Sequence, residues 1–327
     1  MATQQSPQRQ QGAALLLAML VVTLVATLAS AALWQQWRAA EVETAERQRL
    51  QAGWILTGAL DWARLILRED ARGNLSNGQA DHLGEPWAMP LEEARLSSFL
   101  AADRQNNADE VFDAFLSGSV TDMQSRLNFM NLVKVTGSGT NAKVEVSEPD
   151  LQVFTRLYNQ LNLPVSELRA AVDELRNTTE RGNSDPMPSR TALKPRKFVH
   201  LGWLGLSPGS LHALEPYVTV LPERTPLNLN TASAIAIMAS LPRLNTAQAH
   251  NLVTERERNP FKNLSDVSAF QSGLGGQLSE DLHSTRTRFF EVRGRLRLDD
   301  AVVEERSLVV RDGMEVRVLW RERIAAR

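Results

Sequence analysis

The sequence predicts an α+β fold: a long N-terminal transmembrane and amphipathic helix packed on an antiparallel sheet, with a large, mainly helical domain inserted. Three observations carry this. Ala13–Leu33 is a 21-residue run without a charge, and an apolar stripe at helical spacing continues beyond it. The C-terminus alternates apolar and polar residues and contains Asp312-Gly313, a two-residue hairpin signal. Between an earlier strand-like region and these last strands lies a block with helical periodicity.

The N-terminal run sets the topology. Residues 1–12 are polar, with Arg9 their one charged side chain. The following 21 residues span roughly 30 Å as a helix, the thickness of a bilayer's hydrocarbon core. Their polar side chains, Thr23, Thr27 and Ser30, are hydroxyls that can bond back to the helix backbone. Trp34, Trp37 and Arg38 follow, as suits a membrane–water interface. Ala29-Ser30-Ala31 also matches a small-x-small signal-peptidase site, so a cleaved signal stays open beside an anchor. Net charge is −2, which gives no global basic field. The chain has no cysteine, which removes disulfides, thiolate metal sites and thiol nucleophiles. Its histidines, His82, His200, His212, His250 and His283, lack the i, i+4 spacing of a helical zinc site.

Gln10-Gln11-Gly12-Ala13-Ala14-Leu15-Leu16-Leu17 resembles a type IV prepilin leader. The resemblance implies cleavage by the prepilin peptidase between Gly12 and Ala13 and N-methylation of Ala13. Most pilins carry glutamate at the fifth mature position, where this chain has Leu17. That departure, with later segments, makes the sequence similar to the minor pseudopilin K family of type II secretion. The segments are Ala52–Arg64, Glu85-Pro86-Trp87-Ala88-Met89-Pro90-Leu91, Gly118–Leu132 (with Ser125 where glycine is usual), and Tyr217–Pro222 followed by Thr225–Ala234.

Along the chain, Ala45, Ala52, Ile55, Ala59, Trp62, Ala63 and Ile66 form the stripe expected to face the sheet, and the helix is expected to end near residue 71. Leu151, Phe154, Leu157 and Leu161 give one later helix; Pro164 and Ser166 open another to about Leu175. Asn177–Arg190 reads as a polar loop. Thr231 is expected to cap a helix over Ala232–Leu241, followed by helices over Leu244–Arg256 and after Pro260. Phe290–Leu298, 301–311 and 314–320 are expected to form a three-stranded meander.

Three motifs invite chemistry. Gly205-Leu206-Ser207-Pro208-Gly209 matches a nucleophile-elbow string, but Pro208 lacks the N–H that such an elbow gives to its oxyanion hole, so Ser207 reads as a helix N-cap. Residues 225–270 resemble a helix-hairpin-helix. Their connection, Leu241-Pro242-Arg243-Leu244-Asn245, has no glycine, and Arg243, Arg256, Arg258 and Lys262 are offset by Glu255, Glu257 and Asp266, so no nucleic-acid partner is expected. The family resemblance points to a calcium loop around Val172–Thr178. Asp173, Glu174 and Asp185 are its candidate ligands, but Arg176 and Thr178 stand where acids are expected and Arg181 adds positive charge. A solvated polar loop is the favoured reading, with no cofactor.

The resemblance divides the chain into a prepilin leader (1–12), a transmembrane helix (13–33), its amphipathic continuation (34–71), the first part of a pilin-like α/β domain (72–147), an inserted helical domain (148–283, with 225–270 helix-hairpin-helix-like) and a β-meander completing the pilin-like domain (284–327). It implies a non-enzymatic minor pseudopilin at the pseudopilus tip, supporting export of folded periplasmic proteins through the outer membrane. Implied partners are minor pseudopilins I and J, the prepilin peptidase, other pseudopilins, the inner-membrane platform and exported proteins. The implied location is the inner membrane, single-pass, with a cytoplasmic N-terminus and a periplasmic C-terminal domain. Two alternatives stand beside it: a type IV pilus or DNA-uptake component that binds DNA, and a membrane-anchored periplasmic hydrolase using Ser207.

Overall fold

A computed structural model describes residues 11–78, 80–96, 114–137, 143–181, 193–271, 273–274, 276–298 and 301–325. Helix α1 (Gln11–Asn77) runs unbroken for 67 residues, about 100 Å at 1.5 Å per residue. It contains a stretch long and apolar enough to cross a membrane. Within that stretch Thr23, Thr27 and Ser30 donate to the carbonyls of Leu20, Leu24 and Ala26 at 2.8–2.9 Å, so their hydroxyls need no water. Arg38 lies over the Trp34 ring at 5.4 Å. The helix outlasts its expected end near residue 71. Gly73 is an isolated interior glycine where an added Cβ would meet nothing outside its own helix, and the stop comes at Gly78, whose φ of +63° only glycine adopts readily.

The strands are β1 (Leu91–Arg95), β2 (Ala114–Asp122), β3 (Leu127–Asn128), β4 (Val133–Thr136), β5 (Lys143–Val146), β6 (Val218–Thr219), β7 (Leu227–Asn228), β8 (His283–Ser284), β9 (Phe289–Leu298), β10 (Ala301–Asp312) and β11 (Glu315–Ile324), and a five-stranded antiparallel sheet has the order β1, β2, β9, β10, β11. The last three strands are the expected meander, longer than the sequence pattern defined. Asp312 pairs with Glu315, so the turn residues are Gly313 and Met314, one position later than expected. Gly313, at φ +59°, takes the first central position.

The second half of α1 lies across this sheet. Ala52, Leu56, Leu60, Ala63, Leu67 and Ala71 are its buried face, at steps of four, four, three, four and four. Ala52 and Leu56 pack on Ala114, Leu116, Leu296 and Leu298; Leu60, Ala63 and Leu67 pack on Trp87, Phe290, Val292, Val309 and Val316. The expected stripe is therefore rotated. Ala52 and Ala63 belong to the buried face, whereas Ile55, Ala59 and Ile66 flank it and Ala45 and Trp62 are exposed. The expectation left out Leu56, Leu60 and Leu67, which lie on the buried face. The close approach is at Gly294, on β9, where an added Cβ would stand 3.0 Å from Leu56.

Between the sheet's early and late strands the chain builds helices around its own core. These are α2 (Glu148–Gln160), α3 (Val165–Arg181), α4 (Pro208–Leu214), α5 (Ala234–Ser240), α6 (Thr246–Arg258) and α7 (Leu264–Phe270). Phe129, Phe154, Leu157, Leu168, Leu175, Leu214 and Ile237 are among the members of that core, with Phe129 and Phe154 edge to face at 5.5 Å. Helix α3 continues through Asn177 and Thr178, which were expected in a loop; buried Leu175 and Thr178 show that its packed face does not stop at Leu175. The cap of α5 is Ser233, not Thr231. Helices α6 and α7 begin later than expected because Asn245 with Gln248, and Asn263 with Asp266, form capping boxes.

Candidate functional site

The Thr225–Ala234 segment, the most specific internal motif, lies at the joint between the sheet and the helical block. Asp122, the last residue of β2, is buried. Its carboxylate accepts from Gln124 N at 2.7 Å, from Asn228 Nδ2 at 3.0 Å and from Thr231 Oγ1 at 2.5 Å. Burial pushes its pKa up to about 6, against those donors, which favour the charged form. Asn228, in β7 (Leu227–Asn228), also donates to the Asp81 carbonyl at 3.2 Å and accepts from Asn230 N at 3.0 Å. Asn230 exchanges two hydrogen bonds with the Phe261 backbone, at 2.8 and 3.0 Å. Arg256, from α6, donates to the carbonyls of Leu229 and Ala232 at 2.7 and 2.6 Å.

The Gly118–Leu132 segment supplies the other half. Asn128, in β3 (Leu127–Asn128), accepts from Met130 N and Leu221 N and donates to the Glu223 carbonyl. Asn131 exchanges two bonds with the Thr225 backbone, at 2.8 and 3.1 Å. Gln124 bridges the Pro226 carbonyl and Arg288 N. Here side-chain amides do what a sheet ladder does elsewhere: each offers a donor and an acceptor to an irregular backbone that would otherwise be buried unpaired. The amides of Gln124, Asn128, Asn131, Asn228 and Asn230 are each bonded at both nitrogen and oxygen. The arrangement suits a rigid joint.

The sequence-predicted chemical residues fall elsewhere. Ser207 Oγ accepts from Ser210 N at 3.3 Å as the N-cap of α4, and Glu167 accepts from both Ser207 N and Ser210 Oγ. In the helix-hairpin-helix-like segment, Arg243 N donates to Gln277 Oε1 at 3.0 Å and Leu244 N to the Leu241 carbonyl at 3.1 Å, so these connection N–H groups are already engaged; Arg256 is buried. Asp173 is exposed on α3 and pairs with Arg176 at 3.9 Å; Glu174 is its neighbour on the same helix, and Asp185 lies outside the described residues. Helix, rather than loop, therefore holds the two described members of that candidate set. Gly12 and Ala13 lie in the first turn of α1, and Leu17 is exposed on its apolar span. The helix continues through Ala29-Ser30-Ala31.

A second surface belongs to α1 itself. Opposite its packed face, Leu50, Trp54, Trp62 and Leu65 are 65, 77, 51 and 47 % exposed. Gly58 sits between the two tryptophans, with nothing within 4 Å of where its Cβ would be. These large apolar side chains stand among exposed charged ones such as Arg47 and Asp61, a mixed surface suited to contact with neighbours.

A family model described as type II secretion system protein K matches residues 227–286, the stretch holding the Asn228–Thr231 joint and α5–α7. Over 308 residues the chain is 27 % identical to type II secretion system protein K of Pseudomonas aeruginosa, covering 89 % of this chain and 86 % of that one. It is 28 % identical to the protein of the same name from Klebsiella pneumoniae, with 96 % of each chain covered. Among solved structures, it matches a chain of the GspK-GspI-GspJ complex of enterotoxigenic Escherichia coli with a TM-score of 0.64 at 17 % identity, over 86 % of this chain and 99 % of that one.

Proposed function

We propose, on the similarity to type II secretion system protein K over a family model, relatives and fold, that the chain is a minor pseudopilin of that system seated at the tip of the pseudopilus. The observation that carries this reading is the set of large apolar side chains left exposed on α1 opposite its packed face. One face is covered by the chain's own sheet, and the Leu50–Trp54–Trp62–Leu65 ridge is exposed. In this reading the ridge packs against neighbouring subunits, with minor pseudopilins I and J as the first of them. The span over 13–33 sits in the inner membrane with its N-terminus cytoplasmic after cleavage between Gly12 and Ala13. The sheet and the helical block over 148–283 stand in the periplasm, where their bulk blocks further stacking above. The protein works as a packing element, without catalysis, cofactor or nucleic acid.

Trp54→Glu tests this in cells. It places a carboxylate on the exposed ridge without touching the core, so the chain should accumulate normally, while co-purification of pseudopilins I and J and export of secreted proteins are lost. Normal export with intact co-purification would overturn the reading.

A further inference from the structure

At the far end of α1 three carboxylates surround one guanidinium. Arg311, on β10, donates to Asp70 at 2.6 Å and to Asp81, and also to the Thr287 carbonyl at 3.0 Å. Asp81 accepts from Thr287 N at 2.7 Å and donates its own N–H to the Thr285 carbonyl at 3.0 Å. Glu85 accepts from His82 N at 3.0 Å and from Trp87 Nε1 at 2.7 Å. Asn74, one turn beyond Asp70 on α1, points its amide nitrogen at Asp70, Asp81 and Glu85, at 3.2–3.5 Å. Asp70, Asp81, Glu85 and Arg311 side chains or residues are each at most 7 % exposed.

Charge balance is the issue. Three ionised carboxylates around one guanidinium would leave two uncompensated negative charges where water hardly reaches, an arrangement that drives one carboxyl to hold a proton. Glu85 is the member without an ion pair to Arg311 among these bonds. The groups facing it are Asp70 and Asn74 from α1, Asp81 and His82 from its own segment, Trp87 from the following turn and Arg311 from β10. Burial, with Asp70 and Asp81 adding to it, pushes the Glu85 pKa up to about 7, against the His82 and Trp87 N–H donors. Burial also raises Asp70, with Arg311 opposing. The segment carrying Asp81 and Glu85 is where the Asn228 amide anchors the helical block, through the Asp81 carbonyl.

We propose that Asp70, Asp81, Glu85 and Arg311 form a proton-dependent latch tying the end of α1 to the sheet and to the helical block, closed while the cluster holds one proton and loosened when that proton leaves. A device at this position sets how rigidly the helix that enters the assembly carries the domain above it.

Amide hydrogen exchange on the full chain in lipid nanodiscs, from pH 5 to 8 and corrected for intrinsic rates, reads the latch. The reporters are the N–H groups of Asp81, His82 and Thr287, each held within the cluster or beside it. Because a raised carboxyl pKa favours the closed state below it, protection of these amides should fall about tenfold per pH unit up to pH 7 and then level off. Glu85→Gln, which keeps an acceptor and removes the titration, should be flat. If that variant does not fold, Asp70→Asn is the second, and it should reduce the slope. A wild-type profile that is flat, or that matches both variants, overturns the proposal.

Discussion

The Thr231 hydroxyl donates to the Asp122 carboxylate at 2.5 Å across 109 residues of sequence, and this bond joins the end of a sheet strand to the turn that starts the family-matched segment. Removing the carboxylate strands several donors at once. Asp122→Ala leaves the Gln124 N–H and the Asn228 amide without that acceptor in a buried site, so we expect about 3 kcal/mol of lost stability, from roughly 1.5–3 kcal/mol per hydrogen bond to a charged group. Thr231→Val removes one donor and should cost about 1–2 kcal/mol. The pair should be non-additive by more than about 0.5 kcal/mol in a double-mutant cycle, read from urea midpoints of the full chain in detergent. Additive losses would mean that the two side chains do not act through each other.

Much of this architecture was legible in the residues. The α1 span, the alternation in β9 and the presence of a tight turn at Gly313, though set one residue later than Asp312-Gly313, follow from period and turn chemistry, which are local. The rotation of the α1 face was not, because it is set where Leu56 comes close to Gly294, a contact between residues far apart in sequence. The joint was half legible. The Thr225–Ala234 segment was marked by its resemblance to a family motif, but the partners of Asn228 and Asn230, which are Asp81, Asp122 and Phe261, lie far away in sequence. Thr231 drew a cap reading because a hydroxyl before a helical run usually caps; here Asp122 holds it and Ser233 caps instead.

Gly118 on β2, directly paired with Gly294 on β9, makes the register testable. A Cβ on Gly118 would stand 2.7 Å from the Arg293 carbonyl oxygen, a backbone atom held in the sheet. Gly118→Ala should therefore destabilise the chain by about 1–3 kcal/mol, as overpacking does. Gly58→Ala is the contrast: it sits within α1 with open space, so it should stabilise by about 0.5–1 kcal/mol through helix propensity. Thermal midpoints moving in opposite directions would support the packing described here; equal losses would not.

His283 gives a pH dependence of known sign. It is buried in β8 (His283–Ser284), and burial lowers its pKa to about 4 from an ordinary 6.5. The folded chain thus favours neutral imidazole. Its contribution is fully present above pH 6.5 and is lost as pH falls toward 4, at roughly 1.4 kcal/mol per pH unit. Asp122 titrates in an overlapping range with the opposite slope, so the comparison must be between wild type and His283→Gln. The stability difference between them should shrink as pH drops from 6.5 to 4; a constant difference would place the His283 titration outside that window.

The start of α1 carries the remaining prediction. Gly12 precedes the apolar run directly, and a glycine offers a peptidase an unhindered, flexible bond at the membrane surface. Intact-mass measurement of the chain extracted from membranes should give Ala13 as the first residue, carrying one added methyl group. Gly12→Leu should leave the chain uncut from Met1, because a branched side chain then flanks the bond. Cleavage after Ala31 would give a chain starting at Ala32, without the uncharged span and extractable without detergent. That outcome would remove the anchor on which the ridge of Leu50, Trp54, Trp62 and Leu65 depends for its place beside neighbouring helices.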